Sequence, residues 1–101
     1  MELAPLTSAE RRRLKGVAQH LEPVVFLGKA GPTPDFLASV AAALASRELI
    51  KVRFTAHQDE RRELAATIAT QTASHLVTVI GHVAVFYRLK PPADSPPTGS
   101  L

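Results

Sequence analysis

The 101-residue chain contains no cysteine and no tryptophan. Without thiols there is no disulfide scaffold, no cysteine nucleophile and no cysteine-ligated zinc or iron–sulfur site. Aromatic residues make up only 5% of the chain, four Phe and one Tyr, which argues against a base-stacking platform of the RRM type. No apolar run approaches the roughly 18–20 residues that a membrane-spanning helix needs. Met1 to Leu6 shows no basic segment leading into an apolar stretch, so no secretory signal is expected. A soluble, cytoplasmic protein with no membrane partner is the expectation.

An ordinary hydrophobic share of 46% accompanies a formal charge of +3, and one small domain with one core is the default at this length. The charge is unevenly placed. Residues 1–90 hold all 12 Lys and Arg and eight of the nine acids, an excess of four, because Asp94 lies near the C-terminus. Such an excess is compatible with a polyanionic partner without requiring one. Residues 91–101 are rich in Pro, Ser, Thr and Gly and are expected to be a disordered tail. The domain is therefore expected over 1–90.

Thr7 and Glu10 have the spacing of a capping box. Leu14, Val17, Ala18 and Leu21 then recur as one helical stripe, so a first helix is expected to begin here and to end before Pro23. Val24–Leu27 is a short, wholly apolar run, consistent with a buried strand. Thr33 can cap a second helix with Pro34 at its first position, and Leu37, Val40, Ala41 and Leu44 supply its inner face. Leu49–Thr55 alternates, with Ile50, Val52 and Phe54 on one side and Lys51, Arg53 and Thr55 on the other. Asp59 can cap a third helix carrying Leu64, Ala65, Ile68, Ala69 and Thr72 inward. Leu76–Ile80 and Val83–Arg88 are separated only by Gly81-His82, the pattern of a type II′ hairpin. The resulting expectation is an α/β domain of order α-β-α-β-α-β-β with a four-stranded mixed sheet.

The segment most able to carry chemistry is Gly28-Lys29-Ala30-Gly31, between a strand and a helix start. Glycine lets a phosphate approach the backbone closely, and a helix N-terminus adds N–H groups and a positive dipole end. Lys29 can place an ammonium beside the same anion. A tight turn with a solvated lysine fits the same four residues. A nucleotide-binding P-loop is excluded, because Pro23 and Ala30 stand where it needs Gly and Ser or Thr. The dinucleotide fingerprint fails at Phe26.

Arg11, Arg12 and Arg13 point in three directions around a helix, and Arg11 and Lys15 are i,i+4 neighbours on what reads as a solvated face. Lys51 and Arg53 share a strand face that could extend a basic surface toward the loop. Arg61 and Arg62 sit between Glu60 and Glu63 as a salt-laced surface, and Arg88 reads as a strand-end surface charge. His20, His57, His75 and His82 form no i,i+4 pair and no metal or triad pattern. No catalytic residue, metal, cofactor or small-molecule substrate is therefore expected. A small phosphoryl-ligand enzyme would lack a base or nucleophile.

The ordered motifs LTSAERRRLKGVAQHLEPVVFLGKAG at 6–31, ALASRELIKVRF at 43–54 and VTVIGHVAVFYR at 77–88 resemble the CRM domain family (chloroplast RNA splicing and ribosome maturation). The resemblance is to its bacterial stand-alone form, associated with ribosome assembly. It implies a fold similar to the C-terminal domain of translation initiation factor three. It also implies a non-enzymatic RNA-binding protein, with large-subunit rRNA or a pre-ribosomal particle as partner. The family's Gly-x-x-Gly loop, likened to that of KH domains, falls on Gly28, Lys29, Ala30 and Gly31. Arg12, Arg13 and Lys15 would widen the basic footprint, with Lys51 and Arg53 beside them. Two positions depart from the family pattern: Pro32 follows the loop where an apolar residue such as Leu is common, and His82 stands where a lysine is common. The rival expectation is a protein-interaction module that docks an acidic partner through the basic first helix.

Overall fold

The computed structural model describes residues 5–88. Helix α1 (Ser8–Ala18) opens at the expected capping box. The Glu10 N–H donates to Thr7 Oγ1 at 3.0 Å, and the Thr7 N–H donates to Glu10 Oε1 at 2.9 Å. The bond from the Thr7 N–H, followed by the Thr7 hydroxyl, holds the Glu10 carboxyl below its usual range. Strand β1 (Pro23–Leu27) follows, then helix α2 (Pro34–Arg47). Thr33 Oγ1 caps α2 by accepting the Phe36 N–H at 3.1 Å.

Strand β2 (Leu49–Phe54) leads through a 3₁₀ turn (Gln58–Glu60) into helix α3 (Arg61–Gln71). Here the structure corrects one expectation: Asp59 does not cap α3. His57 takes a left-handed conformation, φ +57°, which diverts the chain into the 3₁₀ turn. The helix then starts from Glu60 with no side-chain cap. Strands β3 (His75–Ile80) and β4 (Val83–Tyr87) form the expected hairpin, with Gly81 at φ +57° supplying the required positive angle.

The sheet order is β1-β2-β4-β3. Strand β1 runs parallel to β2, and β4 is antiparallel to both β2 and β3, so the sheet is mixed. Alternation sends Ile50, Val52 and Phe54 to one face, where Val40 and Leu44 of α2 and Ala65 and Ile68 of α3 bury them. Leu49, Val77 and Val85 reach the other face and are covered by Leu14 and Ala18 of α1. The sheet is thus sandwiched between two helices and one. Phe54, Phe86, Leu27, Leu44 and Ile50 are fully buried, and truncating any of them to Ala would cost about 2–5 kcal/mol.

Long cationic side chains tie these layers together in ways that local sequence does not express. Arg11 donates from Nη1 to the carbonyls of Leu76 and Val77, at 2.8 and 2.6 Å. It is a clasp between α1 and β3 rather than part of a free basic face. Arg88, expected at the surface, donates to the Thr72 and Ala41 carbonyls, each at 2.9 Å, and so joins α2 to the α3–β3 connection. Arg61 donates to the Gln58 carbonyl at 2.6 Å and stabilises the 3₁₀ turn, in place of an ion pair on the surface.

Strand β1 also departs from expectation. It is an edge strand, so its apolar run is buried on one face only. Val25 and Leu27 enter the core, whereas Val24 and Phe26 are exposed.

Candidate functional site

The Gly28–Gly31 loop leaves the C-terminal end of β1 and closes on itself, the Gly31 N–H donating to the Gly28 carbonyl at 3.0 Å. Gly31 sits at φ +75°, a left-handed angle at which a side chain costs about 1–2 kcal/mol. Gly28 has no such requirement. Its φ is ordinary, and a Cβ added there would meet nothing within 4 Å. What Gly28 contributes is an unobstructed backbone at an exposed position.

The loop is braced from behind by the residues that follow β2. Thr55 donates to the Leu27 carbonyl twice, from its N–H at 3.0 Å and from Oγ1 at 2.8 Å. His57 Nε2 lies 2.7 Å from the Lys29 carbonyl oxygen. A carbonyl only accepts, so this nitrogen carries the hydrogen. The other ring nitrogen, Nδ1, is 3.6 Å from Glu60 Oε1. His57 therefore spans from the loop to the start of α3.

The donors of the segment divide clearly. Gly31 and Thr33 spend their N–H groups internally, the latter on the Gly31 carbonyl at 2.8 Å, and Pro32 and Pro34 have none. Among the described residues, the N–H groups of Lys29 and Ala30 have no protein acceptor. Both residues are exposed, and between them they offer two backbone donors with an ammonium alongside. The N-terminus of α2 contributes less than expected. Pro34 occupies its first turn, Thr33 satisfies Phe36, and Asp35 places a carboxylate against the positive dipole end. A groove of about 480 Å³ runs from the loop along the open edge of β1, lined by Val24, Phe26, Gly28, Gly31, Asp35 and Phe36 among others.

The remaining expected site residues lie at a distance from the loop. Arg12, Arg13 and Lys15 are exposed on α1. That helix covers the Leu49 end of β2, while the loop sits beside the Phe54 end. Five residue steps along the strand separate the two ends, about 17 Å. Lys51 and Arg53 occupy the sheet face between them. Arg53 is exposed, whereas Lys51 is half-buried and donates from Nζ to the Leu21 carbonyl at 2.9 Å. An ammonium has three donors, so Lys51 retains charge and hydrogens for a partner.

Two residues important to the site were not singled out by sequence reasoning. His57 braces the loop across 28 residues of chain, and no local pattern signals such a contact. Phe26 is 56% exposed, a consequence of β1 lying at the edge. The alternation that would reveal it is hidden in the uniformly apolar Val24–Leu27 run.

The sequence model of the CRS1 / YhbY (CRM) domain matches residues 6–88. A Pseudomonas aeruginosa protein named "Probable RNA-binding protein" is 38% identical over 87 residues, covering 85% of this chain and 84% of that protein. A Haemophilus influenzae "RNA-binding protein" is 39% identical over 87 residues, covering 85% of this chain and 88% of its own length. The solution structure of a Staphylococcus aureus protein matches with a TM-score of 0.77 at 34% identity, covering 89% of this chain and 95% of that one.

Proposed function

This chain belongs to the CRS1 / YhbY (CRM) domain family, and on that premise we propose that it is a non-enzymatic, cytoplasmic RNA-binding protein acting in maturation of the large ribosomal subunit. The observation that carries this reading is the pair of N–H groups on Lys29 and Ala30, which have no acceptor among the described residues and sit on an exposed, braced loop. A phosphate oxygen accepts from both, and the Lys29 ammonium supplies a charge-assisted partner to the same group. The names of the Pseudomonas and Haemophilus relatives support RNA as the polyanion.

Arg12, Arg13 and Lys15 on α1, with Arg53 and Lys51 between helix and loop, extend the positive track along the sheet. Phosphate contacts position a protein without reading sequence. Specificity then comes from RNA shape or from neighbouring ribosomal proteins. Binding of single-stranded RNA across a salt series tests the mechanism. The log–log slope is expected at about −0.7 per phosphate contact, and Lys29→Ala with Arg12→Ala reduces both affinity and slope. Salt-independent binding, or an unchanged double variant, refutes it. Crosslinking in cells tests the partner: attached RNA concentrated in large-subunit rRNA supports the reading, and attached RNA without rRNA overturns it.

A further inference from the structure

On the sheet face that carries α1, the helix packs on Leu49, Val77 and Val85 and leaves Phe26 and Ile80 exposed. Register places Phe26 of β1 beside Arg53 of β2, Arg53 beside Val83 of β4, and Val83 beside Ile80 of β3. These four residues form one row across the whole sheet, about 14 Å wide at the usual strand spacing. They share a face because their chain neighbours Leu27, Phe54 and Ala84 are buried against α2 and α3 on the opposite one. Phe26 is 56% exposed and Ile80 62% exposed, and the row begins one residue from the end of β1, where the glycine loop starts.

Beside the row lies a depression of about 300 Å³, lined by Pro23, Lys51, Arg53, Ile80, Val83 and Val85. Among the described residues its lining holds two cations and no carboxylate. A contiguous apolar patch rimmed by polar residues marks a binding surface, and here Ile80, Val83 and Val85 share one lining with Lys51 and Arg53. The chemistry of this one alternates: an aromatic ring, a guanidinium, then an aliphatic floor. A hydrophobic protein partner would leave Arg53 and Lys51 buried without counter-charge, which is costly. Single-stranded nucleic acid offers the matching alternation of apolar base and anionic phosphate.

We propose that this row is a stacking subsite for two consecutive unpaired nucleotides of the RNA. One base lies on the Phe26 ring, the next covers Val83 and Ile80, and Arg53 meets the phosphate joining them. The proposal rests on the RNA-binding reading above and adds to it a preference for unpaired strands, since the faces of a base inside a duplex are covered by the neighbouring pairs. It also gives the positive track between loop and α1 a physical occupant.

The test uses the full chain and a short single-stranded RNA containing a fluorescent adenine analogue that dims on stacking, with the same RNA in a duplex as comparison. The wild type is expected to bind the single strand more tightly than the duplex and to quench the probe. Phe26→Ala weakens single-strand binding about tenfold, within the range for losing one base–aromatic stack, and removes the quench. Phe26→Leu keeps an apolar side chain at this exposed site and still loses the quench. The Lys29→Ala, Arg12→Ala variant binds weakly yet quenches at saturation.

Wild-type affinity and quenching in Phe26→Ala, with the loop variant impaired, overturns this subsite and leaves the RNA reading standing. Absence of RNA binding by every form overturns both. If sedimentation shows self-association that Phe26→Ala abolishes while RNA affinity is unchanged, the face is a contact between copies of the chain and the proposal fails.

Discussion

His57→Ala removes the side chain that holds the glycine loop from behind, and its consequences can be worked from the geometry. The variant loses the 2.7 Å bond from Nε2 to the Lys29 carbonyl and the 3.6 Å approach of Nδ1 to Glu60. A partly exposed hydrogen bond contributes about 0.5–1.5 kcal/mol net, and the long, exposed contact with Glu60 adds little. A loss of about 1 kcal/mol lowers the melting temperature by about 4–8 °C in a domain of this size. The backbone supplies an internal control. His57 sits at φ +57°, where a residue with a Cβ carries about 1–2 kcal/mol of strain. His57→Gly also loses the bond but releases that strain, so it should melt above His57→Ala by a similar number of degrees. Amide exchange completes the assay: protection at Gly31, whose N–H closes the loop onto Gly28, should fall in both variants. If His57→Ala melts with the wild type and exchange at Gly31 is unchanged, the brace does not order the loop and the reasoning is refuted.

The two glycines of the loop should respond differently to alanine. Gly31→Ala is expected to destabilise by about 1–2 kcal/mol through its positive φ. Gly28→Ala, with nothing within 4 Å of the new Cβ, should leave the melting temperature almost unchanged while weakening RNA binding through obstruction of the backbone. Equal losses of stability in denaturant titrations would contradict this distinction. Acid should weaken the α1 capping box. The bonds from Thr7 hold the Glu10 carboxyl below its usual range, so their contribution is fully present above the unfolded-chain carboxyl value and is lost as pH falls through the folded one. Glu10→Gln keeps an acceptor but no titrating charge, and its thermal stability should depend less on pH between neutral and acidic conditions. Identical pH dependence of the two proteins would count against the box.

Elements set by local chemistry were legible in the sequence. The capping box fixed the start of α1, Thr33 and Pro34 that of α2, and Gly81 the hairpin, because each acts within a few residues of itself. Period-two alternation in Leu49–Phe54 correctly separated the buried Ile50, Val52 and Phe54 from the exposed Arg53. The family expected from the order of motifs is the one whose model matches residues 6–88. The expected tail at 91–101 lies outside the described residues. What escaped depends on sheet order and long-range contact. Arg11 and Arg88 read as surface charges because their acceptors are backbone carbonyls 65 and 47 residues away, on β3 and α2. Asp59 looked like a cap because nothing local announces the left-handed turn at His57. Phe26 looked like core because edge position is a property of the assembled sheet.

The central claim, that the backbone of the glycine loop grips phosphate, is tested most directly by following individual amide resonances as single-stranded RNA is added to the full chain. The largest shifts should fall on the Lys29 and Ala30 N–H groups, which have no acceptor among the described residues, with far smaller ones at Gly31 and Thr33, whose hydrogens are already spent. RNA that binds tightly while the Lys29 and Ala30 resonances stay in place would contradict the account.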